Sequence, residues 1–319
     1  MSRTLKSSIQ RFMYPVPAAL INNQIPDTAD RMGAVQKALE QHYFQGWRAK
    51  DSVSPQSYAW DLNNHVIDRM RQGRQQVVPW LNATEPINGA SVLEIGCGTG
   101  SCTVALAEQG ANVTAVDMDA GSLEVARCRC ELYGVRVDFR LANAIHVLEK
   151  SEVGRYQLII LFGCLEHMTH LERIACLRLA WGILPRNGTM AIVETPNRLW
   201  YFDSHTSLLP FYHWLPDDLA FEYSRFSSRE GFNDLYRDNT AKDFEHFLRR
   251  GRGASFHEFE VANGPAKDLA VHSLQEFQRP WSALKRSRAD RQYQSLLRQF
   301  HPGLHSGWFE EYLNIMIGR

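Results

Sequence analysis

The chain has 319 residues, 44% of them hydrophobic, and its 35 Lys+Arg balance 35 Asp+Glu. That composition suits a large buried core, and the zero net charge excludes a global field drawing the chain to nucleic acid or an anionic membrane. The proline-marked start (Pro15, Pro17, Pro26) lacks the apolar stretch of a secretory signal, there is no membrane-spanning run, and the six cysteines lack paired C-x-x-C spacing, so neither disulfides nor zinc are favoured and a reducing cytoplasm is expected.

In chain order, residues 1–87 read as a helical cap; within "NNHVIDRMRQGRQQVVPWL" (63–81), Val66, Met70 and Val77/Val78 share a helical face. From residue 88 the pattern changes. "ASVLEIGCG" (90–98) reads as a buried parallel strand, and "SCTVALAEQG" (101–110) as a helix closed by Gly110. "ANVTAVDMD" (111–119) is a second strand, "GSLEVARCRCELYG" (121–134) a helix, "VRVDFRLAN" (135–143) a third strand and "YQLIILFGCL" (156–165) a fourth. "HLERIACLRLAWGIL" (170–184) predicts a helix with Leu171, Ile174, Leu177 and Trp181 along one side. After the turn "PRNG", "TMAIVETP" (189–196) is a fifth strand. Beyond it the alternation stops. An aromatic stretch, "NRLWYFDSHTSLLPFYHWLP" (197–216), continues its bias through Phe221, Tyr223, Phe226, Phe232 and Tyr236. "ASFHEFEVA" (254–262) alternates with period two, like a strand, a charged helical stretch follows, and "EEYLNIMIGR" (310–319) reads as another strand.

Strand–helix alternation on this scale predicts an α/β domain over 88–319: a doubly wound, mostly parallel sheet of seven strands with helices on both faces. The two late strands fit an edge hairpin, with helical insertions at about 197–252 and 263–309. Ligands of such sheets bind at the carboxyl ends of the strands. There the first strand delivers "EIGCGTG", whose Gly96, Gly98 and Gly100 permit a tight turn and close backbone approach; residue 101 is serine, so the spacing is GxGxG, not GxGxxG. Asp117, ending the second strand, stands where a carboxylate accepts from ribose hydroxyls.

Taken together, "VLEIGCGTG", "AVDMD", "LANA", "LFGCLEHM" and "LPRNGTMAIVETPN" resemble class I S-adenosylmethionine-dependent methyltransferases of Rossmann-like fold, over roughly residues 88–197. The flanking segments look like bacterial enzymes acting on small molecules or sugars. The resemblance implies S-adenosyl-L-methionine as cofactor, with Glu94 and the Gly96–Gly100 backbone on its methionine moiety and Asp117 on its ribose. It puts Met118 against the adenine and Asn143 and Ala144 at the adenine edge. Asn143 replaces the aspartate of many relatives; an amide still accepts from the adenine amino group. Plainer readings stand beside these: a strand–helix turn for the glycines, core filling for Met118, a turn residue at Asn143.

Methyl transfer to a hydroxyl calls for a base near the fourth and fifth strands, whereas a carboxylate acceptor would need none. The candidates are Glu166, His167, His205 and His213. Each histidine is equally readable as a loop or helix-start residue bonded to backbone. His167 and His170 are three apart without a third ligand, so no metal is expected. The aromatic stretch is either a substrate wall or a second small core, and Arg198, Arg225 and Arg229 are anion-binding candidates or solvated charges. The expected activity is O-methylation of a small-molecule or glycan hydroxyl. The alternatives are a carboxylate or other metabolite acceptor, a nucleotide-cofactor oxidoreductase and a silent binding module.

Overall fold

A computed structural model of the chain describes residues 24–230, 232, 241–278 and 286–319. Pro15, Pro17 and Tyr236, noted above, lie outside the described residues. Two compact units are formed, Met1–Asn143 with Leu274–Ser287, and Ala144–Ser273 with Arg288–Arg319.

In the first unit, β1 (Ser91–Ile95), β2 (Asn112–Asp117) and β3 (Asp138–Leu141) pair in parallel, with Glu94 opposite Ala115 and Asp117 opposite Leu141. Val92 to Ile95 are buried without alternation, because both faces of a parallel strand are covered. The helix Ser101–Ala107 starts from left-handed Gly100, and Ala120–Leu132 from Asp119, whose carboxylate accepts the Ser122 N–H at 3.0 Å. The N-terminal helices are capped by Thr28 and Ser54. They bury Val35, Leu39, Phe44 and Tyr58 against Val125, and Met70 against Val104 and Cys130.

In the second unit, β4 (Leu158–Phe162) and β5 (Thr189–Pro196) are parallel. Then β7 (Tyr312–Gly318) runs antiparallel to both β5 and β6 (Ala270–Ser273). The register of β5 shifts between Ile192 and Thr195; Glu194 there takes a left-handed φ of 59° and donates its N–H to Asn314 Oδ1 at 2.8 Å. The bulge re-aims the end of β5. The seven strands belong to one sheet of order β3-β2-β1-β4-β5-β7-β6, the doubly wound, mostly parallel arrangement expected.

Three expectations are corrected. Residues 254–262 are not a strand but run into the helix Phe256–Asn263. Glu258 accepts from both the N–H and the hydroxyl of Ser255, a helix-start bond that outweighs the short alternation, and Phe256 and Phe259, three apart, are both buried. The edge hairpin exists, but its first strand is β6, inside the stretch 263–309 read as an insertion. In the helix His170–Ile183 the buried side is Arg173, Cys176, Leu177, Ala180 and Ile183, while Leu171 is 82% exposed. Arg173 takes the inward place because it ties together four backbone carbonyls, of Glu166, Met168, Arg252 and Gly253.

Candidate active site

The first unit gathers its chemistry at the carboxyl ends of β1 and β2. Gly96, Gly98 and Gly100 all have positive φ, which side-chain-bearing residues rarely adopt. A Cβ on Gly100 would lie 2.8 Å from Ala126, so that glycine serves helix–loop packing; one on Gly98 would meet nothing within 4 Å, leaving room for a ligand. The Gly98 N–H donates to Asp117 Oδ2 at 2.8 Å, and the Asp119 N–H to Oδ1 at 2.9 Å. Burial raises the Asp117 carboxyl pKa against those two bonds.

Glu94 is 0% exposed. Its Oε2 accepts the Thr103 hydroxyl at 2.6 Å, while Oε1 has no partner among the described residues. Burial pushes its pKa up to about 8. A buried carboxylate oxygen without a partner fits a cationic ligand group, which would restore its charge. Met118 is 69% exposed, which contradicts a core-filling role and leaves its side chain open to a flat ligand. Asn143 is half-buried and Ala144 buried. This donor set fits S-adenosylmethionine.

Sequence reasoning missed the support under the glycine loop. His65 Nδ1 lies 3.1 Å from Thr99 Oγ1, and the buried Arg129 bonds both the Thr99 and the His65 carbonyls at 2.9 Å. The N-terminal segment also pairs Arg48 with Asp119 at 2.8 Å. The available signal was an arginine in phase with the buried face of its helix, beside Val125, Ala126 and Cys130.

The second unit brings together Glu166, His167 and His205. Glu166 sits in the single turn Leu165–His167 after β4, with its side chain buried. Its Oε2 accepts the Thr195 hydroxyl at 3.3 Å, and Oε1 has no hydrogen-bond partner among the described residues. His167 Nε2 is 3.7 Å and His205 Nε2 4.0 Å from Oε1. Each histidine is oriented through Nδ1, His167 on the Arg249 carbonyl at 2.9 Å and His205 on Thr206 Oγ1 at 2.9 Å. His205 is half-buried; burial lowers its pKa, and the Glu166 charge partly opposes that.

His213 is placed differently. It is 2% exposed, its Nδ1 accepts the Gly253 N–H at 3.1 Å, and its Nε2 lies 3.3 Å from Asp203 Oδ1. Asp203, which the sequence did not flag, also accepts the N–H groups of His205, Thr206 and Ser207 and the Ser207 hydroxyl. Burial pushes its carboxyl up, but the His213 bond and the backbone donors hold it below the usual range. Asp203 thereby fixes the turn that carries His205.

A pocket beside His205 is lined by Pro196, Trp200, Phe202, Ser204, Glu311 and Tyr312, among others. Ser204 donates to Glu311 Oε1 at 2.5 Å and lies 3.0 Å from the Tyr312 hydroxyl. The aromatic stretch is divided. Leu209, Tyr212, Phe221, Phe232 and Phe247 form a buried cluster, and Trp200 packs edge-on against Tyr293 at 5.4 Å. Phe202, Phe211, Trp214 and Phe226 are exposed. Arg198 and Arg229 bond backbone carbonyls, of Gly253 and of His205 and Thr206. Among the described residues no three His, Cys, Asp or Glu side chains are arranged to hold a metal, and no helix is long and apolar enough to cross a membrane.

A methyltransferase-domain family profile matches residues 92–188. A ubiquinone biosynthesis O-methyltransferase of Pseudomonas aeruginosa (strain UCBPP-PA14) is 35% identical over 144 residues, 44% of this chain and 58% of that protein. One of the same name from Xylella fastidiosa (strain 9a5c) is 34% identical over 119 residues, 37% and 47%. The chain thus spans about half the length of the curated relatives it matches. The solved magnesium protoporphyrin IX methyltransferase of Synechocystis PCC 6803 with bound SAM aligns at 20% identity and a TM-score of 0.38, over 55% of this chain and 80% of that one.

Proposed function

We propose that the chain, whose residues 92–188 match a methyltransferase domain, is a class I S-adenosylmethionine-dependent enzyme that methylates a hydroxyl of a small-molecule or glycan acceptor. S-adenosylmethionine, when bound, supplies a methyl group on a positively charged sulfur. Glu94 would hold its ammonium, the Gly96–Gly100 backbone its methionine moiety, Asp117 its ribose hydroxyls, and Met118, Asn143 and Ala144 its adenine. The helices before residue 88 act as a cap on the donor site, tied to it through His65–Thr99 and Arg48–Asp119.

One observation carries the choice of base: His205 lines a small pocket, with Nδ1 2.9 Å from Thr206 Oγ1, a contact in which the Nδ1–H tautomer donates, and Nε2 4.0 Å from Glu166 Oε1. In that tautomer the Nε2 lone pair takes the hydroxyl proton, and Glu166 Oε1 stabilises the imidazolium that results. His167, more exposed and facing the same oxygen, is the second candidate. His213 is a positioning residue, since its Nδ1 lone pair is engaged by the Gly253 N–H. The names of the curated relatives support oxygen as the methylated atom. The six free cysteines suit the cytoplasmic setting we propose.

The test is a mass-resolved acceptor screen with the methyl donor, followed by His205→Ala. Turnover should fall by about 10²–10⁴ while donor affinity stays unchanged. Full turnover in that variant moves the base to His167 or points to an acceptor that needs none.

A further inference from the structure

Resting on the reading that Glu166 supports His205 as base, the irregular end of β5 acquires a role. Glu194 holds a left-handed φ of 59°. A side chain makes that conformation strained, and such strain collects at functional sites. The strained turn is held in place: the Glu194 N–H donates to Asn314 Oδ1 at 2.8 Å. It also has a result. Ile192 pairs with Ile315, so uninterrupted antiparallel pairing would set Glu194 opposite Leu313. Thr195 stands there instead, because β5 carries one extra residue. Thr195 is fully buried, and its hydroxyl donates to Glu166 Oε2 at 3.3 Å. Without the extra residue a glutamate would take that place, setting a second carboxylate against the buried one.

The consequence falls on the other oxygen of Glu166. With Oε2 turned to Thr195, Oε1 is left facing His167 Nε2 at 3.7 Å and His205 Nε2 at 4.0 Å. The main chain of Glu166 is fixed separately, since its carbonyl accepts the Arg252 N–H at 2.9 Å and Arg173 Nη2 at 3.2 Å. Those bonds leave the carboxylate free to rotate. Among the described residues, the Thr195 hydroxyl gives the one hydrogen bond that sets its rotation. We infer that Thr195 is a positioning residue: its hydroxyl aims the Glu166 carboxylate at His205, and the strained bulge at Glu194, pinned by Asn314, places that hydroxyl. Thr195 acts through Glu166 and not on the substrate.

The experiment uses the full chain and compares Thr195→Val, which keeps the shape and removes the hydroxyl, with Thr195→Ser, which keeps the hydroxyl. The His205 ring is titrated by NMR, and methyl transfer is measured by mass with the acceptor that screening identifies. The charges acting on His205 are those of Glu166, His167, Asp203 and Arg229, and neither substitution removes one. A carboxylate without its donor turns from His205, so less of its charge reaches the ring. The Thr195→Val titration should therefore move toward acid by about 0.3–1 pH unit, in the direction of Glu166→Gln and less far, and Thr195→Ser should reverse at least half of the shift. In Thr195→Val kcat should fall about 5–30-fold with the acceptor KM within about twofold, and serine should recover most of the loss. Glu194→Val, a β-branched residue that resists a left-handed φ, should lose at least about tenfold more kcat than Glu194→Gly, which accepts it. A titration and a kcat unmoved by Thr195→Val overturn the inference while methyl transfer stands. A loss that serine leaves unrepaired also overturns it, because it reflects packing. An acid shift reversed by serine, without transfer to any acceptor, supports the positioning role and overturns the assignment of His205 as base.

Discussion

Replacing Asp203 by asparagine isolates the device that holds His205. The carboxylate is buried and accepts the His205 and Thr206 N–H groups at 3.0 and 2.8 Å on Oδ1, and the Ser207 N–H and hydroxyl at 2.6 and 2.8 Å on Oδ2. His213 Nε2 adds a contact at 3.3 Å on Oδ1. An amide nitrogen cannot accept, so in either orientation at least two buried donors lose their partner. At about 1–3 kcal/mol for each, the cost is about 2–6 kcal/mol. Urea unfolding should show this as a lower midpoint at unchanged slope, and turnover should fall as His205 loses its backbone anchor. The pH dependence carries a sign. A carboxyl held low in the folded state stabilises fully above its unfolded pKa of about 3.9 and loses that contribution as pH falls toward the folded value, so the gap between wild type and variant should narrow below about pH 4. His205→Ala, which keeps every bond to the carboxylate, should leave stability within about 1 kcal/mol. If Asp203→Asn costs less than about 1 kcal/mol and keeps full turnover, the anchoring role is wrong.

Burial places the His205 pKa below its ordinary value, so the acid limb of kcat/KM should lie below about pH 6.5. Glu166→Gln removes the charge that favours the imidazolium and should move that limb further toward acid; a shift toward alkali would contradict the pairing. Asp117→Ala should weaken binding of S-adenosylmethionine and S-adenosylhomocysteine by about 1.5–3 kcal/mol in titration calorimetry, and unchanged affinity would remove it from the donor site. Burial, with the charges of Arg69, Arg129 and Arg48, pushes the His65 pKa down to about 2, so unfolded chains bind a proton that folded ones refuse. Stability should then fall by about 1.4 kcal/mol per pH unit below about pH 6.5, and His65→Gln should flatten that slope in pH-dependent melting.

The parallel strands were legible because β1, β4 and β5 are buried on both faces and read as apolar runs ended by glycine or proline. The glycine loop was legible for a related reason: three left-handed positions leave little choice but glycine. The cluster around Glu166 was less so. Glu166 and the histidines could be named from their chemistry, but nothing local separates His205, at a pocket, from His213, locked under Gly253. Asp203, Glu311 and Tyr312 act through partners distant in sequence or through a turn with no regular period, and period is what sequence reading detects. The short β6 was lost because four residues, "AVHS", alternate no more clearly than the helical "FHEFEVAN" before them.

The pairing of β5 with β7 also bears on how the second unit is made. β5 is flanked by parallel β4 and antiparallel β7, but Thr189–Pro196 leaves the ribosome long before Tyr312–Gly318. Through that interval a nascent chain carries Met190, Ala191, Ile192 and Val193 on a strand with one side open to any extended polypeptide. Residues 197–311 must be synthesised while that edge waits, and a distant partner makes the final zippering slow. The folding yield of this protein is thus tied to whatever shields β5 during translation: a chaperone, or the early collapse of the buried cluster around Tyr212 and Phe221.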